Sequence, residues 1–114
     1  MAIQQRNRVE ARAEMARALA MNGFEEVHVL NHETTDEVLT PKRRELLERL
    51  AEEEYRSVRA LARAVDRDKG AVSKDLHTLA KHDLVAYEEH GASKAPQLRH
   101  QTIVVEPVVF EHES

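Results

Sequence analysis

A chain of 114 residues, 41% apolar and 33% charged, has room for one core but not for a catalytic domain with a separate regulatory one. It holds no cysteine, which excludes disulfides and thiolate metal sites. No apolar run approaches the ~20 residues of a membrane span or the core of a signal peptide, so a soluble, cytoplasmic protein with no membrane partner is expected.

With no Trp, two Phe and two Tyr, the core must come from Leu, Val and Ala. Thin cores in small chains are often completed by dimerisation, which buries further apolar area at ~25 cal/mol per Å². A homodimer is therefore expected.

The net charge of −4 argues at first sight against a polyanionic partner, but the distribution says otherwise. Residues 57–99 carry eight Lys or Arg against six acids, whereas residues 1–56 carry nine against twelve and residues 100–114 only three acids. A mildly basic module sits between acidic flanks.

In chain order, residues 6–21 are rich in helix formers and stop before Asn22-Gly23. Val9, Ala13, Ala16 and Ala20 make a small-residue stripe suited to packing on its own core or on a second subunit. Phe24–Leu30 reads as a short strand, and Thr102–Phe110 is the other β-prone segment, so the two are expected to pair within one chain or across a dimer. Pro107 would sit at an edge or end that strand.

Thr34-Thr35-Asp36-Glu37 reads as a capping box opening a short helical turn over 33–39. Pro41 starts a fresh helix, PKRRELLERLAEEE, with Leu46, Leu47 and Leu50 on one face. Lys42, Arg43 and Arg44 in its first turn oppose the helix dipole, a cost that is explained if this end faces a phosphate.

The stretch from Ser57 to Leu84 organises the rest. Ser57 is a good N-cap, and Val58, Leu61, Ala62 and Val65 fall at i, i+3, i+4 and i+7. Asp66-Arg67-Asp68-Lys69 breaks that pattern, and Asp68 caps a second helix in which Val72, Leu76 and Leu79 recur at i, i+4 and i+7.

The opposite face of the second helix carries Lys69, Gly70, Ser73, Lys74, His77 and Lys81, with no acid among them. Small residues for close approach, side chains that reach base edges and cations for phosphates are what a helix entering a major groove needs. The plain alternative is an ordinary helical hairpin with solvated lysines. Beyond it, Val85–Glu89 and Leu98–Val105 read as two extended runs flanking a flexible tip from Gly91 to Pro96, a β-hairpin.

Here the chain resembles a family. LTPKRRELLERL followed by S-V-R-x-L-A-R-x-V-x-R-D-x-x-x-V-S-x-D-L-x-x-L, with Leu84-Val85 opening a wing, is similar to winged helix-turn-helix transcriptional regulators of the MarR and ArsR kind, nearest to small archaeal regulators. The resemblance runs from Leu39 to about Val105. It implies an α+β, mainly α fold with a winged helix-turn-helix over 34–110; the added helix and strand over 1–33 are the candidate dimerisation element, given the thin core and the small-residue stripe, and 111–114 form an acidic tail.

It further implies a recognition helix from Lys69 to about His82, with Ser73, Lys74 and His77 at base edges or phosphates and Arg67 on a phosphate. His90, Ser93, Lys94 and Arg99 would lie along the adjacent minor groove or backbone. The chain departs from the pattern in its wing tip, where Glu88 and Glu89 leave little positive charge. The candidate DNA-binding set is Arg43, Arg44, Ser57, Arg67, Lys69, Gly70, Ser73, Lys74, His77, Lys81, Lys94 and Arg99.

No phosphate loop, HExxH, cysteine nucleophile or Ser, His and acid set is visible, so no enzyme and no cofactor are expected. Seven histidines raise metal sensing, but His28 and His32 on one strand would stand roughly 13 Å apart, too far to share an ion. The expectation is a dimeric repressor of double-stranded DNA. The rival is a winged-helix interaction module, for transcription-complex assembly or of antitoxin kind, that does not itself recognise an operator.

Overall fold

The computed structural model describes residues 8–106 and His112. The chain divides into two units, one built from residues up to Thr35 together with those from Gln101 onward, the other from Asp36 to His100.

In the first unit, α1 (Arg8–Met21) ends as the Asn22-Gly23 pair predicts. Gly23 takes φ 97°, and the amides of Gly23 and Phe24 donate back to the carbonyls of Ala20 and Leu19 at 3.2 and 3.1 Å. This is the Schellman closure, which needs the left-handed conformation that glycine adopts without penalty.

The two β-prone segments pair within the chain: β1 (Val27–Leu30) lies parallel to β4 (Thr102–Val105), with Val27 opposite Thr102 and Leu30 opposite Val105. The Glu106 amide extends the ladder to the Leu30 carbonyl at 2.8 Å. Glu106, 8% exposed, also receives Arg12 Nη1 and the His32 amide, each at 3.3 Å. The stretch 107–110, expected to continue the strand, and the tail, except His112, lie outside the described residues.

The short helix after β1 corrects one expectation. α2 (His32–Val38) starts earlier than the Thr-Thr-Asp-Glu pattern implied, because the Asn31 side chain accepts from the Thr34 amide at 2.8 Å. Asn31 is the cap, and Thr34 and Thr35 lie within the helix.

In the second unit, α3 (Pro41–Glu52) begins where Pro41 directs, with Thr40 Oγ1 accepting from the Arg43 amide at 3.3 Å. Ser57 caps α4 (Val58–Ala64) through the Ala60 amide at 3.0 Å, and Asp68 caps α5 (Lys69–Lys81) through the Ala71 amide at 3.2 Å. Both non-glycine turns between these elements use an aspartate in the left-handed region. Asp66 at φ 54° and Asp83 at φ 63° let Arg67 and Leu84 donate back to Ala62 and Leu79 at 2.9 and 3.0 Å.

Leu46, Leu61, Val72, Leu76, Leu79 and Leu84 are all fully buried, so the predicted stripes of α4 and α5 meet across the turn as their spacing demands. Each such leucine contributes roughly 1.5–3 kcal/mol. The wing is antiparallel, β2 (Val85–His90) with β3 (Ser93–Leu98), closed by the two-residue turn Gly91-Ala92 with Gly91 at φ 60°.

The wing corrects a second expectation. Its returning strand is Ser93–Leu98, not Leu98–Val105, and the supposed flexible tip is mostly strand. Ala95 and Pro96 are buried in it, and a proline is tolerated because β3 is an edge strand. The Arg99 amide then turns away to the Leu84 carbonyl at 3.0 Å, freeing Thr102–Val105 for β1. The architecture is an α+β winged helix-turn-helix with an added N-terminal helix and strand.

Candidate nucleic-acid interface

The outward face of α5 follows from its inward one. Because Val72, Leu76 and Leu79 are fixed in the core, Gly70, Lys74, His77 and Lys81 must share the opposite, exposed side. Beside them the first turn of α3 completes a concavity of about 640 Å³, lined by Lys42, Arg43, Arg67, Ala71, Ser73, Lys74, Asp75, His77 and Thr78.

Its back wall is an ion triad. Arg43 Nε donates to Asp75 Oδ1 at 3.1 Å and Arg67 Nη2 to Asp75 Oδ2 at 2.6 Å, while Arg43 Nη1 reaches the Val38 carbonyl at 3.2 Å. The three side chains are 22%, 14% and 18% exposed, in the order Arg43, Arg67, Asp75. Burial pushes the Asp75 carboxyl up, but hydrogen bonds and charge from Arg67 and Arg43 outweigh it and hold it below the usual carboxylate range.

The triad ties α5 to the first turn of α3 and to the turn before α5, fixing the helix's setting. Four cations, Lys42, Arg43, Arg67 and Lys74, stand against this one carboxylate, so the concavity is strongly positive. The basic first turn of α3, unfavourable to its own helix dipole, belongs to this wall.

The structure thus brings together Arg43, Arg67, Ser73, Lys74 and His77 of the expected set. Lys69 and Gly70 are exposed at the start of α5, and Lys81 at its end. A Cβ on Gly70 would come within 2.9 Å of the Asp68 cap oxygen, so the absent side chain also protects the cap. Arg44 does not line the concavity and meets Glu48 at 3.7 Å; Ser57 is occupied as a helix cap.

The wing contributes differently. Lys94 stands directly opposite Glu89 in the hairpin register, His90 Nε2 lies 3.1 Å from Glu88, and Arg99 pairs with Asp83 at 3.4 Å. Between the wing and the end of α3 lies a second concavity of about 680 Å³, whose lining includes Glu53, Glu54 and Glu88 with Arg56 and His90.

Sequence reasoning left Asp75 out of the site and singled out Lys42 only as part of the basic start of α3. Asp75 adjoins the apolar stripe of α5, where an acid must find partners, and the cations on the neighbouring elements are Arg43 and Arg67; that juxtaposition was the available signal. His28 lies on β1 and His32 opens α2, and among the described residues no group of three His or acid side chains could hold a metal ion. No helix among the described residues is long and apolar enough to cross a membrane.

Residues 38–105 match the model of the family HVO_A0114. Among solved structures, the chain is similar to the solution NMR structure of the homodimeric winged helix-turn-helix DNA-binding domain, fragment 1–100, of Mb0332 from Mycobacterium bovis, described as a possible ArsR-family transcriptional regulator. The two share 23% identity and a TM-score of 0.55 over 60% of this chain and 64% of that one, a likeness of fold. No curated protein matches.

Proposed function

The chain belongs to the HVO_A0114 family, and from that premise and the α3–α5 concavity we propose a double-stranded DNA-binding transcriptional regulator, acting as a homodimeric repressor. The observation that carries this reading is the positive concavity itself. An exposed helix face bearing Lys74 and His77 stands beside Lys42, Arg43 and Arg67, while the nearby carboxylate is turned inward.

In this reading α5 enters the major groove, Lys42 and Lys74 neutralise phosphates, and Arg43 and Arg67 set the helix in place while adding positive potential. Two such helices on a two-fold operator would sit about 34 Å apart, one turn of duplex. The similar Mycobacterium bovis domain is homodimeric, which supports a dimer here. The first unit is the proposed dimerisation element, since it exposes Val9, Met21, Phe24 and Val105 beside a two-stranded parallel sheet, a kind of sheet rarely left uncovered.

One observation favours a second reading. The wing's cations are all opposed by acids, and the adjoining concavity is acidic, which suits docking to a basic protein better than contact with a minor groove. Fluorescence-anisotropy titration of a mixed-sequence duplex at two salt concentrations, with light scattering on the same sample, separates the two. Salt-sensitive binding by a dimer is expected; no binding at low salt would overturn the DNA-binding reading.

A further inference from the structure

We infer that α5 reads guanine, with Lys74 and His77 as the specificity-determining residues. The inference rests on the reading of α5 as the helix that enters the major groove, and it comes from which hydrogen-bonding groups the helix leaves exposed.

In the major groove guanine presents two acceptors, N7 and O6. Cytosine presents a donor, adenine an acceptor beside a donor, and thymine an acceptor beside a methyl group. A cytosine reader therefore needs an acceptor side chain, and an adenine reader needs one that donates and accepts together, as a carboxamide does. The exposed residues of α5 are Lys69, Gly70, Ala71, Lys74, His77 and Lys81, with no carboxylate and no carboxamide among them.

The helix does carry one carboxylate, and both of its oxygens are engaged. Asp75 Oδ1 receives Arg43 Nε at 3.1 Å and Oδ2 receives Arg67 Nη2 at 2.6 Å, so the group that could accept from cytosine is held by the two guanidiniums at the back wall of the concavity. The Thr78 hydroxyl, at the edge of the same face, is turned to the Lys74 carbonyl at 3.3 Å.

What remains is dominated by donors. Lys74 offers three N–H groups and no acceptor, His77 offers at least one N–H in either charge state, and the acceptors are fewer: the Ser73 and Thr78 hydroxyls and a neutral imidazole nitrogen. The base edge that complements such a face is the one with two acceptors. The Arg43–Asp75–Arg67 triad therefore does more than anchor the helix: it sets the chemical polarity of what the helix can read.

The experiment selects duplexes from a random pool with the full chain, then replaces the enriched guanines by 7-deazaguanine, which keeps the base pair and deletes the N7 acceptor. Enrichment of guanine in each half-site is expected, with about tenfold weaker binding of the replaced duplex by the wild-type chain. The penalty should largely vanish in Lys74→Ala or His77→Ala, whose exposed positions leave folding intact, as circular dichroism will check.

Selected sites without guanine, or equal affinity for the replaced duplex, would overturn the inference while leaving DNA binding standing. An undiminished penalty in both variants would overturn the assignment to these residues. Failure to retain any duplex would overturn both the inference and the function on which it rests.

Discussion

The α5 groove and the wing lie in one unit of the same chain, carry cations of the same kinds, and put them to opposite electrostatic use. In the groove the carboxylate is drawn inward between Arg43 and Arg67, and Lys42 and Lys74 line the concavity beside it. In the wing Lys94 faces Glu89 across the hairpin and Arg99 faces Asp83. A count of Lys and Arg does not distinguish the two places; what stands opposite each cation does.

The sharpest way to break this contrast is at Asp75. Asp75→Ala leaves two half-buried guanidiniums without their shared partner and should cost about 2–3 kcal/mol of stability, read by urea unfolding. The pH dependence gives an independent check. Because the folded carboxyl titrates below its ordinary value, its contribution is full above about pH 4 and is lost as pH falls through the lowered pKa. Melting temperatures taken from about pH 5 down to pH 2 should fall more steeply for the wild type than for Asp75→Asn; parallel curves would mean the triad contributes nothing.

Next in size is the test of the lysines. Lys42→Ala combined with Lys74→Ala should weaken duplex binding about tenfold and make the slope of log K against log salt shallower by about 1.8, roughly 0.9 per phosphate contact. Lys94→Ala should change affinity less than about twofold, being offset by Glu89. Equal losses from groove and wing would erase the distinction. A similarly small effect of opposite sign is expected from Glu88→Gln with Glu89→Gln, which should tighten binding by less than about twofold at low salt and by still less at higher salt, as screening removes the repulsion.

The helix-turn-helix was legible because its signals are local. Ser57, Asp68 and Pro41 mark helix starts, and Val72, Leu76 and Leu79 repeat at the period of the helix. The N-terminal stop at Asn22-Gly23 was legible for the same reason, glycine being the ordinary left-handed residue. Asp66 and Asp83 perform the same closure with a residue that tolerates the left-handed region less readily; the first of these turns was marked by the break in the apolar pattern at Asp66-Arg67-Asp68-Lys69 rather than by a glycine.

What could not be read locally was decided by packing across the chain. Ser93-Lys94-Ala95-Pro96 looks like a loop by propensity, yet burial of Ala95 and Pro96 makes it a strand. Thr102–Val105 suits both the wing's returning run and a pairing with Phe24–Leu30; packing settles it against Val27–Leu30, far away in sequence. In the candidate site, the exposed cations of α5 followed from its period. The capture of Arg43 and Arg67 by Asp75 depends on three elements meeting, which no spacing within one helix encodes.

The parallel pairing of β1 with β4 has a kinetic consequence. These strands can zip only after the whole stretch from Asp36 to His100 has been drawn in, and closing so long an unfolded segment carries an entropic cost that its own prior collapse reduces. The winged unit, dominated by contacts between neighbouring helices and a tight hairpin, is thus expected to form first, and the strand pair last. Pulse-labelling hydrogen exchange during refolding should protect the amides of α5 before those of β1 and β4, and the reverse order would mean that the chain's two ends find each other without help from what lies between.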